Sequence, residues 1–477
     1  MKPQRRRAII FGVLMATLAL AALRDGFRLG EASPWRNMDD FPDFYCAGWA
    51  LDAKANPYTY EPLRTCEHRV NIGETFRDRL FNRDPAIAIP APLPAYDFLP
   101  FMAIARLPFG VARALEAAAI VAAVLIGAIS LAGLGIPIAV AAAALLLSTA
   151  YVELNTGQVV PFALLALILC GVALARGYVR LAGILAVLTA IEPVVGVPVA
   201  LAMLFYVPRS RAAVLATATI FAVIAVVTVG PAALWEYVTR VVPAQASSEI
   251  HFPFQFSLTY ALARAGVSAA VARAAGSLSY LVLLALGLWL APRAARILRR
   301  RELIVFLPAF CCAVAGPYLH QEELCLALPA LLVLAVATTG RARTVFAIAL
   351  CVLSVPWILV WGIKQLFLAS LFCCSVILWQ LRIFRWPAIA AFCAIAATIY
   401  AFELRPPHLP VPSASVKQTY AATALVQDEW RVYAEQRSTS DLLWFAIKVP
   451  TWAALLTTLI VTTRLSLRPD QPSSPRI

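Results

Sequence analysis

Long apolar segments recur along the whole chain and limit its fold more than any other feature. Runs of about 15 to 25 mainly apolar residues follow one another from end to end. Charged residues make up only 14% of the 477 residues, whereas an ordinary soluble domain has roughly 25%. A soluble enzyme with a single anchor would need polar helix faces that this sequence lacks. The chain is therefore predicted to be an integral membrane protein.

The lengths of the apolar segments predict an all-α polytopic fold with about fourteen transmembrane helices, since about 20 helical residues cross a bilayer. The predicted segments are 8–23, 94–107, 110–134, 136–150, 158–175, 181–207, 212–230, 276–292, 303–317, 323–339, 344–363, 365–381, 387–402 and 441–463. Three long connections remain, 24–93, 231–275 and 403–440. Loops of this length in a compact protein usually carry function.

Basic residues are distributed unequally between the two sides of these segments. With a cytoplasmic N-terminus, twenty Lys and Arg residues, including Arg106 and Arg113, lie on the cytoplasmic side, against Arg176, Arg180 and Lys364 in the short outer loops. Short loops rich in Lys and Arg stay in the cytoplasm, so both termini are predicted to be cytoplasmic and the long loops to lie outside. The net charge of +14 thus marks topology, and no nucleic-acid partner is expected. The first segment could alternatively be a cleaved signal peptide.

The first outer loop contains Cys46 and Cys66, twenty positions apart. On an oxidising side of the membrane they can form a disulfide, and two unpaired thiols are the alternative. No Cys or His cluster has the spacing of a structural zinc site. The four histidines all fall on the predicted outer side: His68, His251, His320 and His408.

Three acidic residues begin the polar part of this loop and are followed by apolar residues at helical spacing. Phe44, Ala47 and Leu51 would share one face, which places Asp43 near the N-terminus of a short amphipathic helix lying on the membrane. A carboxylate at this point can be a simple N-cap or a catalytic group.

Six sequence elements, in order, resemble those of the polyprenol-phosphate-mannose-dependent alpha-mannosyltransferases, a bacterial family with the C-type glycosyltransferase (GT-C) fold. They are Asp43-Phe44-Tyr45 with Ala47–Leu51 and Asn56-Pro57-Tyr58, Pro92–Tyr96 with Arg106–Phe109, Thr156-Gly157-Gln158, Leu181–Leu185 through Pro193, Gln255–Leu258, and Pro317–His320. The chain departs from the family at Glu192, where a Lys is common, and only partly matches at Gln255-Phe256-Ser257.

The resemblance implies a transferase that passes a sugar, most readily mannose, from a polyprenyl-phosphate donor to a glycan or glycolipid acceptor. The reaction would occur with inversion at the periplasmic or exterior face of the bacterial cytoplasmic membrane. Asp43 is expected to be the general base and Asp40 the alternative, because a positioned carboxylate can accept the proton of a hydroxyl nucleophile. The residues expected to bind substrate are Asp40, Tyr45, Gln158, Gln255 and His320. His320 is expected at the lipid phosphate, with Arg24, Arg28 and Arg264 as further helpers there. No cofactor and no metal are expected, since the donor carries one phosphate.

Two polar positions fall inside the apolar part of the chain. Asn155 and Gln158 lie in a turn that the basic-residue count assigns to the cytoplasmic side, although short flanking segments would let the turn lie deep in a protein-lined cavity. Glu192 falls within segment 181–207, where a charge is costly. It is expected to be functional, or protonated and hydrogen-bonded to a neighbouring helix.

Residues 1–340 are predicted to form the GT-C-like catalytic module, and residues 341–477 to add helices and the outer loop 403–440. The alternatives are a transporter or flippase of lipid-linked sugars, a transferase using another polyprenyl-phosphate sugar such as arabinose, and a non-catalytic assembly subunit. Transport predicts two related halves with charged or broken helices at the midplane. The sequence shows one intramembrane acid and no repeat, which favours the enzyme.

Overall fold

The computed structural model describes residues 38–71, 88–313, 316, 318–360, 364–408, 410 and 420–467, together with residues 9, 13 and 17. The predicted segment 8–23 and the loop residues 24–37 and 72–87 lie, wholly or almost wholly, outside the described residues. Within the described ranges the chain is helical, and its single strand pairing is an isolated bridge between Thr59 and Leu425. The all-α prediction is confirmed.

The helices follow one another through short turns. They are α1 Phe41–Asp52, α2 Tyr60–Asn71, α3 Phe98–Ile104, α4 Phe109–Ala132, α5 Ile138–Thr156, α6 Val160–Ala175, α7 Val179–Leu188, α8 Pro193–Tyr206, α9 Arg211–Glu236, α10 Val242–Ser248, α11 Leu258–Arg264, α12 Ala269–Leu298, α13 Leu303–Cys312, α14 Leu328–Ala337, α15 Gly340–Leu353, α16 Lys364–Gln380, α17 Trp386–Leu404, α18 Val426–Gln436, α19 Leu443–Ala446 and α20 Val449–Ser466. Short 3₁₀ turns at Ala95–Asp97 and Glu322–Ala327 lead into α3 and α14.

Several helices have the length and composition of membrane spans. In the described part of the chain, five helical stretches are long and apolar enough to cross a bilayer: Phe109–Ala132, Ile138–Thr156, Pro208–Ser248, Ala269–Leu298 and Leu443–Ser466. Shorter apolar helices of 10–17 residues pack among them. On α9 the side chains of Val227 and Trp235 are 79% and 71% exposed, as expected for a surface that faces lipid. The protein is a multi-pass membrane protein, and the number of fourteen crossings remains a prediction.

The predicted segment 94–107 does not behave as a crossing. Its helical part, Ala95–Ile104, has ten residues and would extend only about 15 Å. Both of its ends contact the first loop: Tyr58 Oη donates to Leu93 O at 3.0 Å, and Tyr45 Oη donates to Leu107 O at 2.8 Å. The segment therefore begins and ends on the same face of the bundle, which we call the first-loop face.

The predicted segment 181–207 is divided into two helices. The first ends in a 3₁₀ turn at Thr189–Ile191, Glu192 is extended, and α8 begins at Pro193. Gly196 makes this break compact, because a Cβ there would lie 2.3 Å from the Ala190 backbone. One predicted crossing is thus lost at 94–107 and one is gained here, so the side assigned to each segment after Tyr206 is unchanged.

These two changes to the predicted segments move four basic residues to the side opposite the predicted one: Arg106, Arg113, Arg176 and Arg180. Arg106 pairs with Asp52 of α1 at 2.6 Å, so the turn before α4, and Arg113 in its first helical turns, lie at the first-loop face. At the other end of α4, Leu134 O accepts a 2.7 Å hydrogen bond from Arg300, and the Arg176 guanidinium packs beside Gly133. Arg176 and Arg180 therefore belong with the arginines that follow α12, on what we call the opposite face.

Helix α1 forms where it is predicted, but it does not lie half-exposed on a membrane surface. Ten of its twelve residues are buried. Helix α3 covers it closely at Gly48, where a Cβ would lie 2.4 Å from the Phe101 backbone. Helix α1 is thus enclosed within the protein, and its acidic residue Asp43 is among the buried ones.

The first and last outer segments are joined to each other. Cys46 and Cys66 form a disulfide that ties α1 to α2, with 5.6 Å between their Cα atoms, and this pairing is confirmed. At the start of α2, Tyr60 N donates to Ala424 O at 2.8 Å, and just before it Tyr58 O accepts from Val426 N at 3.2 Å. Helix α18 therefore reaches the first-loop face beside the segments that precede residue 340.

Candidate functional site

A cavity of about 630 Å³ opens at the first-loop face, where all three long outer segments meet. The first segment contributes Asp40, the second contributes Glu249, and the third contributes Trp430. Turns between helices supply Gln158, Glu192 and the residues 320–323. The cavity is the meeting point of residues that are far apart in the sequence.

Asp40 is held at the cavity by the turn between α5 and α6. The backbone N–H groups of Asp39 and Asp40 donate to Asn155 O and Thr156 O at 3.1 and 2.7 Å. Gln158 Nε2 then donates to Asp40 Oδ2 at 2.6 Å. This contact places Gln158 beside the first loop, so the Asn155–Gln158 turn lies at the same face as that loop and not opposite it, as the basic-residue count had predicted, and it lines a protein cavity as the alternative had it. The cause is the lost crossing at 94–107.

Gly157 allows the turn and the loop to approach each other. Its φ of +76° lies in the left-handed region, which is readily adopted by glycine. A Cβ at this position would lie 2.8 Å from Phe41 Cβ and 3.0 Å from Met38 Cβ. The glycine in the sequence element Thr156-Gly157-Gln158 therefore sets the distance between Gln158 and Asp40.

The other predicted residues of α1 lie outside the cavity wall. Asp43 is fully buried and is not among the lining residues. Tyr45 directs its hydroxyl to Leu107 O and packs its ring edge-on to Phe109 at 5.2 Å. Burial raises the pKa of Tyr45, so the phenol remains a neutral donor. The structure thus brings Asp40 to the cavity and uses Tyr45 to attach α1 to the turn before α4.

Glu192 lines the cavity at the break between two helices. Its carbonyl accepts from Gly196 N at 2.8 Å, which begins α8 directly after it. Nearby, Tyr96 Oη donates to Ala190 O at 2.6 Å and fixes the 3₁₀ turn that precedes the break. The first N–H groups of α8 are thus used within this turn, since Pro193 has none and Val195 and Gly196 both donate to Glu192 O.

Glu249 is the centre of a hydrogen-bond network on the opposite wall. Its carboxylate accepts from the Trp430 indole N–H, from Gln245 Nε2 at 3.2 Å and from Gln255 Nε2 at 3.3 Å. It also lies 3.3 Å from His320 Nε2. Four side chains from three parts of the chain therefore converge on one buried carboxylate.

His320 is surrounded by acidic groups. Burial alone would lower its pKa, but the hydrogen bond and charge of Glu249, with the charges of Glu323 and Glu322, raise the pKa of His320 to about 10. Its backbone N–H donates to Glu323 Oε2 at 2.8 Å. The imidazole is thus one of the lining groups and is held in the protonated form at neutral pH in this arrangement.

Gln255 has a supporting position. It is 1% exposed, and its Oε1 accepts from Leu319 N at 2.6 Å while its Nε2 contacts Glu249. It does not line the cavity. Gln255 therefore orients both Glu249 and the peptide next to His320.

The cavity wall has many more acidic than basic side chains. Its acidic residues are Asp39, Asp40, Glu192, Glu249, Glu322 and Glu323, and within the described residues no Lys or Arg lines it. Arg264, a helper suggested from the sequence, is directed instead to Thr439 O. Arg24 and Arg28, suggested for the same role, lie outside the described residues.

Sequence reasoning missed Glu249, Glu322, Glu323 and Trp430. The adjacent acids of His320-Gln321-Glu322-Glu323 provided a local signal, since they directly follow a residue that had been selected. Glu249 and Trp430 provided none, because only the folded chain brings them within hydrogen-bond distance across 181 positions.

Residues 92–319 match the model of glycosyltransferase family 87. This range begins at the proline-rich entry to α3 and ends one residue before His320, so it includes Gln158, Glu192 and Glu249. No curated protein and no solved structure shows a significant match to the chain. The matched range and the helical membrane architecture agree: the protein is a multi-pass membrane glycosyltransferase whose residues 92–319 are similar to family 87.

Proposed function

We propose that this membrane glycosyltransferase is a member of family 87 and transfers a sugar from a polyprenyl phosphate to a hydroxyl of a glycan or glycolipid, with inversion, in the cavity at the first-loop face. Mannose is the sugar that the sequence resemblance favours. The observation that carries the proposal is the placement of Asp40 in the same cavity as His320, one as a proton acceptor and the other as a cation.

Asp40 is the general base in this proposal. Its carboxylate lines the cavity, and the amide of Gln158 holds one of its oxygens. A positioned base contributes about 10²–10⁴-fold to such a transfer. Asp43, the base expected from the sequence, is buried three residues later and is proposed instead to hold α1 in place.

The leaving phosphate would lie beside His320 in the same cavity. Negative charge develops on this group as the glycosidic bond breaks, and donors that face it lower the barrier. His320 is the described lining group that could supply this stabilisation.

The polyprenyl chain would occupy the apolar side of the cavity. Val197, Ala225, Leu234 and Val238 line this side. The last three belong to α9 and the segment directly after it, in a stretch of which only 11% is buried. A lipid could therefore enter from the bilayer past α9 without exposing its chain to water.

The orientation of the protein is proposed from charge and redox chemistry. The opposite face carries the arginines near the ends of α6, α12, α14 and α16, which the positive-inside rule assigns to the cytoplasm. The Cys46–Cys66 disulfide lies at the first-loop face, and disulfides persist on the oxidising side. The cavity would then face the periplasm or exterior of a bacterial cytoplasmic membrane.

A lipid-linked sugar transporter is the second candidate. The helix break at Glu192 favours it, since transporters bind substrates at discontinuous helices. The break in this protein lies at one end of a cavity whose wall also contains Asp40 and Glu249. That arrangement favours chemistry at the membrane surface over passage across it.

The test is sugar transfer by the purified full-length chain in lipid nanodiscs, with polyprenyl-phosphate mannose as donor and a panel of glycan and glycolipid acceptors. Asp40→Asn is expected to reduce transfer by 10²–10⁴-fold with donor binding retained. Asp43→Asn, the matched control on the same helix, is expected to change thermal stability more than the rate. A rate loss confined to Asp43→Asn would restore Asp43 as the base. Movement of intact donor across liposomes without transfer would favour the transporter.

A further inference from the structure

Among the described residues, the cavity wall has acidic side chains and no Lys or Arg to balance them. Its wall holds six carboxylates and one histidine, and the described chain places no Lys or Arg there. An anionic phosphate would find no Lys or Arg among the described lining residues, and each carboxylate that is ionised would repel it. A bound cation would reverse that repulsion where the phosphate must sit.

A suitable group of ligands lies on one turn of the chain. A ring nitrogen of His320 and carboxylate oxygens of Glu322 and Glu323 all lie within 4.8 Å of one another. The turn is fixed by the hydrogen bond from His320 N to Glu323 Oε2 and by the 3₁₀ helix that begins at Glu322. One imidazole and two carboxylates suit a divalent cation such as Mn²⁺ that keeps positions for water or phosphate.

A further buried acidic residue, Glu153, supports a cation at this turn. Glu153 is fully buried, and neither of its carboxylate oxygens has a hydrogen-bond partner. The acidic groups that act on it most strongly are Glu322 and then Glu323. Glu322 Oε2 is also buried without a hydrogen-bond partner. Buried oxygens of this kind are costly unless a cation or a proton satisfies them.

Glu249 contacts the ring nitrogen of His320 that would not bind the cation. It faces His320 Nε2 at 3.3 Å, which leaves Nδ1 as the nitrogen available to a metal. A carboxylate that accepts from the second nitrogen of a metal-bound histidine is a common means of orienting the ring. A divalent cation at Nδ1 would take the place of the proton on that nitrogen, so positive charge would remain at this point while Nε2 kept its contact with Glu249.

We propose that His320, Glu322 and Glu323 bind a divalent cation, with Glu153 as a nearby balancing charge, and that this cation holds the phosphate of the lipid donor. The sequence analysis expected no metal, because the donor carries only one phosphate. The role at the phosphate rests on the proposed transferase function, whereas binding of the cation itself does not.

The first experiment measures binding alone. The chelator-treated full-length protein in nanodiscs is titrated with Mn²⁺, and free Mn²⁺ is followed by electron paramagnetic resonance. One Mn²⁺ per chain is expected, with at least tenfold weaker binding by Glu323→Gln and by Glu322→Gln. Asp52→Asn, an acid of the first-loop face that is paired with Arg106, should bind as the unaltered protein does. Thermal unfolding of each variant shows whether it is folded.

The second experiment separates the site from the reaction. Sugar transfer is measured after chelation and again after Mn²⁺ is restored, and recovery is expected only with the cation. Absence of stoichiometric Mn²⁺, Mg²⁺ or Zn²⁺ binding would overturn the cation site even if transfer were intact. Binding that is lost in Glu323→Gln, in a protein that transfers no sugar, would support the site and contradict the transferase function.

Discussion

The side-chain amide of Gln158 donates a 2.6 Å hydrogen bond to Asp40 Oδ2, although the two residues are 118 positions apart. Gly157 permits this approach because it has no Cβ to contact Phe41. The contact joins the first outer loop to the turn between α5 and α6. It also makes the reactivity of Asp40 depend on the neighbouring amide.

Replacement of Gln158 by Leu is expected to slow transfer. A hydrogen bond to a charged group contributes about 1.5–3 kcal/mol, so loss of the donor should lower kcat about 10- to 100-fold with a small change in KM. Steady-state kinetics of the purified variant measure both constants. Gln158→Glu should be slower still, because it places a second carboxylate against Asp40. A kcat of Gln158→Leu equal to that of the unaltered protein would contradict the positioning role.

Replacement of Trp430 by Phe is expected to lower activity through Glu249. The indole N–H of Trp430 donates to Glu249, whereas Phe keeps only the ring that packs against Phe252. A buried acceptor that loses its donor costs about 1–3 kcal/mol. A lower transfer rate is therefore expected together with a lower melting temperature.

Trp444→Phe is the matched control for this change. Trp444 is also buried and also donates its indole N–H, but to His408 O, and it does not line the cavity. Similar losses of stability are expected in both variants, with the loss of rate confined to Trp430→Phe. Equal rates in the two variants would show that α18 supports the fold and not the site.

The sequence was sufficient for the class of fold but not for the exact path of the chain. Hydropathy identified the helices because apolar composition is a local property, and the disulfide could be proposed because both cysteines share one loop. Segment 94–107 was assigned as a crossing because composition does not show that Tyr58 and Tyr45 bind both of its ends. Segment 181–207 was assigned as a single helix because the close packing of Gly196 on Ala190 is a tertiary contact.

The candidate site, like the fold, could be predicted where the signal is local in the sequence and not where it depends on tertiary contacts. Asp40, Gln158 and His320 could be selected from local motifs, and all three line the cavity. Asp40 and Asp43 are both candidate carboxylates in the sequence, and only the tertiary contacts of Asp40 with Thr156 and Gln158 show which of the two faces the cavity. Glu249 could not be selected, because its contacts with His320 and Trp430 join it to segments 71 and 181 positions away.

The Cys46–Cys66 disulfide is expected to stabilise the site that α1 carries. A bridge that closes a loop of this length contributes about 3 kcal/mol, so the paired substitution of both residues by Ser should lower the melting temperature and the transfer rate. Cys393→Ser, which removes an exposed thiol from α17, is the control and should change neither. Labelling of Cys46 or Cys66 by a thiol reagent without prior reduction would show that the bridge is not formed in the membrane.

Arg106 and Arg176 provide a direct test of topology, because the structure exchanges the sides that the basic-residue count gave them. Both side chains are exposed, Arg106 beside Asp52 of the first loop and Arg176 beside Gly133 at the opposite face. In intact cells, Arg106→Cys should react with a membrane-impermeant maleimide, whereas Arg176→Cys should react only after the cells are opened. The unaltered protein provides the background, since its thiols other than Cys393 are buried or in the disulfide. Labelling of Arg176→Cys alone in intact cells would invert the proposed orientation and place the cavity in the cytoplasm.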